Sequence, residues 1–166
     1  MRAIRNEGES HHANSRSIRG PDERDGWVAY DFAVLRAVPH PHTGAFVPVG
    51  VVVHARTVDF LQLATLTDRR ALANLLPPDS DIELLGRYLD ACRAICAGQE
   101  DAGPVALAPP PERFSWITAP RSDVIQCGPV HEGLCESPEA ALHLLFEQYV
   151  QGEERGRGPA GHQPMP

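Results

Sequence analysis

The sequence predicts an α+β fold: an antiparallel β-meander with an additional strand, packed against two to three amphipathic helices. Three observations predict it. Residues 27–65 contain three alternating, β-branched runs separated by turn residues. The connections between those runs are short, which favours antiparallel neighbours over crossovers. Beyond residue 66 the apolar spacing lengthens to three and four, the helical period.

The meander is organised around Ala45-Phe-Val-Pro-Val-Gly-Val-Val-Val-His-Ala55, a nearly uncharged run with turn chemistry on both sides. It reads as a central strand covered on both faces. Pro48 lacks an amide hydrogen and Gly50 lacks a side chain, so a bulge or bend is expected there. Before it, Trp27 to Val38 alternates through Val28, Tyr30, Phe32 and Val34, and Pro39 to Gly44 forms the turn. Asp31 and Arg36 fall on opposite faces of that strand and read as polar groups near an edge or an end. After it, His54 to Thr57 makes a tight return into a third strand over 58–65.

Thr67-Asp68 marks a short helix over 70–76, stopped by Pro77-Pro78. Asp79 or Ser80 caps the next helix. Over 81–97 its stripe is Ile82, Leu85, Leu89, Cys92 and Cys96, with Gly98 at the end. Cys92 and Cys96 read as core thiols. Pro104 to Pro111 is broken by proline and should cross as an irregular segment, while 112–117 suits a short helix or a strand equally. Val124 to Gln126 supplies the additional strand, interrupted by Gly128-Pro129. Ser137-Pro138-Glu139 starts a final helix with Leu142, Leu145, Phe146 and Tyr149 on its buried stripe.

Three segments follow from composition: a disordered tail over 1–25, a single domain over 26–150, and a second disordered tail over 151–166. The tails have too few apolar residues to offset their ordering entropy. No run approaches the ~20 apolar residues that span a bilayer, and the N-terminus lacks the apolar stretch of a secretory signal. A cytoplasmic protein without membrane contact is the expectation, with its four Cys as free thiols. Net charge is −7. Residues 26–150 hold eight of the fifteen Arg and fifteen of the twenty-two carboxylates. That acidic balance would repel a phosphate backbone and argues against nucleic acid as a partner.

The sharpest candidates for ligand binding are Arg121, Ser122, Gln126 and His131. A guanidinium beside a hydroxyl suits a carboxylate or phosphate, and a His on a loop bounded by Gly and Pro can titrate near neutrality. The competing reading makes the Arg–Ser pair a loop cap and His131 a partner for buried backbone. Cys127-x3-His131-x3-Cys135 resembles a metal spacing but lacks a fourth ligand, so no metal is assigned. The pairs His11-His12 and His40/His42 lack companions too. No cofactor is expected, since no phosphate loop or dinucleotide fingerprint is present. Ser122 lacks the strained Gly-x-Ser-x-Gly setting of a nucleophile.

Three stretches, Tyr30-Asp-Phe-Ala-Val-Leu-Arg36, the Gly50-Val-Val-Val run, and Ala119-Pro-Arg-Ser followed by Val-Ile-Gln and Pro-Val-His-x-Gly-Leu, resemble the bacterial domain of unknown function 3037. The likeness spreads over about residues 27–150. The family pattern has Asn-Val-Gly where this chain has Pro48-Val49-Gly50. The family has no established activity, and the non-catalytic reading rests on the missing catalytic signature and the acidic domain between flexible tails. The resemblance does imply a protein partner, because members are often encoded beside a HipA-like serine/threonine kinase homologue. The leading expectation is therefore a non-catalytic interaction or regulatory module. The alternative is a small enzyme or anionic-ligand-binding domain using Arg121, Ser122 and His131.

Overall fold

A computed structural model describes residues 26–121 and 124–152. Most of both expected tails, and Ser122, lie outside the described residues. The centre is a five-stranded antiparallel sheet. Strands β1 (Val28–Ala37), β2 (Val47–Ala55) and β3 (Phe60–Thr65) form the expected meander in the order β3-β2-β1. The other edge of β1 is shared by two short strands, β4 (Ile125–Cys127) and β5 (His131–Cys135). Four helices cover the sheet: α1 (Arg69–Leu75), α2 (Ile82–Cys96), α3 (Pro110–Thr118) and α4 (Pro138–Phe146), the last running into a π turn over Glu147–Gln151.

Alternation divides the interior into two cores. Ala33, Leu35 and Ala37 point to one face, where they meet Leu72, Leu85, Leu89, Phe114 and Ile117 from α1–α3. Phe32 and Val34 point to the other, with Val51, Val53 and, from α4, Leu142 and Leu145. Full burial of each Val, Leu, Ile or Phe among these contributes ~1.5–3 kcal/mol before entropy is counted. The sheet is thus sandwiched, which accounts for the lack of charge in β2.

The irregularity expected at Pro48 and Gly50 is a bulge. Leu35 pairs with Gly50, but Arg36 pairs with Pro48, so Val49 is the extra residue. The inserted residue turns Val49 toward the α1–α3 core, beside Val52. Its carbonyl accepts from the Leu66 amide at 2.9 Å. Between β2 and β3, a 3-10 turn over Arg56–Val58 closes on Asp59, which takes a left-handed φ of 51°.

The helix starts are set by carboxylates and a hydroxyl. Asp68 accepts from the Arg70 amide, and Ser137 from the Ala140 amide, as anticipated. For α2 the cap is Asp81, accepting from Leu84, in place of Asp79 or Ser80. Ser80 is spent in the preceding turn, its amide donating to the Pro77 carbonyl at 3.0 Å. Segment 112–117 is helical within α3, started by prolines at its first two positions. The proline-broken stretch before it winds into 3-10 turns over Glu100–Ala102 and Pro104–Leu107.

The loop expected over 119–134 is the main correction. The additional strand expected over 124–126 is present as β4, but a second one, β5, follows at 131–135, so His131 lies in a strand rather than on a loop. The register shifts by one residue between Leu35↔Cys127 and Phe32↔His131. Gly128-Pro129 occupies that break, with the Gly128 amide donating to the Val34 carbonyl at 2.9 Å.

Candidate site at the uncovered end of the sheet

Arg121, Gln126 and His131 do not converge. Arg121 follows α3; its guanidinium lies 3.7 Å over the Trp116 ring, and Nη2 donates to the Trp116 carbonyl at 2.8 Å. That places it on the α1–α3 side, where Trp116 packs against the core. Gln126 pairs with Arg36 and His131 with Phe32, both on the α4 side. The His131 ring rests 5.3 Å from that of Phe32. Arg36 covers the Phe46 ring at 4.3 Å. The residues of this set therefore stand on two faces of the sheet.

The thiols are structural neighbours of the same core. Cys92 and Cys96 are buried on α2, and Cys127 packs from β4 against the core cluster that contains Cys96. Burial pushes Cys96 up to about 12 and Cys127 up to about 11, so both are held as thiols. The structure records all four Cys as free. Among the described residues, no three His, Cys, Asp or Glu are placed to hold a metal ion.

A different set does come together at the rim of the α1–α3 layer, running from His54 beneath Phe114 of α3 out to exposed Glu132. On the α1–α3 face, register places His54 of β2 opposite Asp31 of β1, and Asp31 opposite Glu132 of β5. Directly opposed side chains have Cβ atoms roughly 4.5–5.5 Å apart, so the three form a continuous row. One step outward, Ala29 pairs with Leu134, and Trp27 precedes it on the same face. Trp27 and Leu134 are 43% and 39% exposed. The row lines a cleft of about 700 Å³ shared with Arg56 and Thr57 from the β2–β3 turn.

Its chemistry is uneven. His54 is 2% exposed, its ring stacked on Phe114 of α3 at 5.2 Å and 28°. Burial lowers its pKa, Asp31 and Asp59 pull it up, and Arg56 pushes it down. The net direction is downward, so a neutral imidazole faces the cleft at pH 7. Among the described residues that imidazole makes no hydrogen bond, and neither Asp31 nor Glu132 joins an ion pair. Two carboxylates directly opposed across strands repel. The carboxylate pair and the neutral imidazole are therefore the polar groups that this end of the sheet presents to the cleft.

A second cleft, about 650 Å³, lies at the C-terminal end of α2 and holds Arg93 and Arg113. Both guanidiniums make structural contacts, although Arg113 Nε is buried without a partner among the described residues. Arg113 donates to the Cys96 carbonyl at 2.7 Å and caps the helix. Arg93 bonds Thr65 Oγ1 at 3.2 Å and pairs with Asp90. This cleft is held by structural contacts.

Sequence reasoning did not reach the Asp31–His54–Glu132 row. Its members are spread over a hundred positions and meet only through the register of three strands, one of them the unforeseen β5. The fold and this row together define an α+β domain with a sandwiched sheet and a bare acidic end. The family model described as a protein of unknown function, DUF3037, matches residues 32–150, and the chain belongs to that family. No curated protein and no solved structure matches the chain.

Proposed function

We propose that the chain is a non-catalytic protein-interaction module that docks its partner on the bare end of the sheet. The observation that carries this is β5. Among the described residues β5 pairs only with β1, so its outer edge presents free backbone groups beside exposed Trp27 and Leu134. Such an edge is a template for an added strand. No helix among the described residues is long and apolar enough to cross a membrane. A cytoplasmic partner suits the reading, and a HipA-like kinase homologue is the one that the family resemblance implies. The test is photo-crosslinking in the native host, with a reactive residue at position 134 or, as control, at Leu107, an exposed residue away from β5. A stoichiometric partner captured from 134 and not from 107 is expected. Equal capture from both, or none from 134, refutes the proposal.

A further inference from the structure

We infer that Asp31 and Glu132, backed by His54, seat one basic side chain, an arginine, carried by an extended partner segment that adds to β5. The inference rests on the docking surface proposed above and goes further, naming what the surface reads.

Charge decides the class. The cleft sets two carboxylates against one guanidinium, that of Arg56, so one negative charge is left over. Seating a cation between Asp31 and Glu132 turns their mutual repulsion into two attractions. A guanidinium fits better than an ammonium because its planar fork can reach two carboxylates at once. His54 suits this role because it is neutral: a protonated imidazole would repel the incoming charge, whereas a neutral one offers an acceptor. Its ring is fixed by Phe114, so little order is lost when the seat fills.

Geometry decides the spacing. Glu132 and Leu134 lie two apart on one face of β5. A strand added to β5 places the residue opposite Glu132 and the residue opposite Leu134 two apart on that face as well. The segment read is therefore basic, any residue, apolar, in extended form. The apolar member covers Leu134 and Trp27.

The test is an amide NMR titration of the full chain with the capped peptide Thr-Arg-Thr-Leu-Thr-Val, alongside versions with citrulline or glutamate in place of arginine. The arginine peptide is expected to shift the amides of Asp31, His54 and 131–135. Citrulline should weaken binding about tenfold, the worth of a charged hydrogen-bonded contact. Glu132→Gln should weaken the arginine peptide to a similar degree. Glu132→Arg should reverse the preference, so that the glutamate peptide binds and the arginine peptide does not. Glu132 is exposed, so both variants keep the fold. Equal binding of arginine and citrulline peptides, shifts away from β5, or no shift at millimolar peptide overturns the inference. A partner captured at position 134 whose binding ignores Glu132→Gln overturns it too, while leaving the docking surface in place. Arginine-dependent peptide binding without a captured partner removes the module reading alone.

Discussion

Gly50 sits tightly against Ala64 and Thr65 of β3, and Gly50→Ala tests that approach. An added Cβ meets the Ala64 carbonyl oxygen and Thr65 Cγ2, each at 2.8 Å. The methyl cannot swing aside freely, because Thr65 Oγ1 holds the Arg93 guanidinium. The carbonyl can yield only if β3 moves. Overpacking of this kind costs ~1–3 kcal/mol. Against it, Ala lowers the entropy of the unfolded chain by ~0.4–1 kcal/mol relative to Gly. The midpoints of the two ranges leave a loss of about 1.3 kcal/mol, or a Tm drop of roughly 3–5 °C for a chain of this size. Thr65→Ser removes Cγ2 and keeps the hydroxyl, so combining it with Gly50→Ala should recover about half of the loss. Urea unfolding of the parent, both single variants and the pair measures this. A Gly50→Ala protein as stable as the parent, or more so, would show that the two strands are not locked at this distance.

Two further outcomes follow from buried titratable groups. His54 has a lowered pKa in the fold, so the unfolded chain binds its proton more tightly and acid favours unfolding. Stability should fall as pH drops below ~6.5, the ordinary His value, and His54→Phe should flatten that part of the profile; an unchanged profile in the variant would assign the acid sensitivity elsewhere. For the thiols, Cys96 and Cys127, held at about 12 and about 11, should resist alkylation at pH 8 until the protein unfolds, while half-exposed Cys135 labels first. Mass spectrometry of timed iodoacetamide labelling checks the order.

The meander was legible because its signals are local. The alternation in Val28 to Ala37, the bulge chemistry of Pro48 and Gly50, and the three-and-four stripe of α2 act over a few residues each. β5 was not legible, because His-Glu-Gly-Leu-Cys carries one large aliphatic residue and a glycine. It becomes a strand because β1 offers an unpaired edge, and because the Tyr30 ring lies over Gly133 and fills the space of its missing side chain. The candidate site failed to show for the same reason. Asp31 reads as an ordinary polar group near a strand end, and His54 as part of a turn. Only pairing across β2, β1 and β5 turns them into neighbours of Glu132.

The late origin of β4 and β5 has a consequence for biogenesis. Cys135, whose thiol meets the Val28 carbonyl, leaves the ribosome 107 residues after its partner. At ~5–20 residues per second, one side of β1 stays bare for roughly 5–20 s. During that interval the nascent hairpins expose a long, mostly apolar strand edge suited to self-association. Nascent chains of this protein are therefore expected to lean on holdase chaperones, and fragments stopping short of residue 124 to accumulate in inclusion bodies.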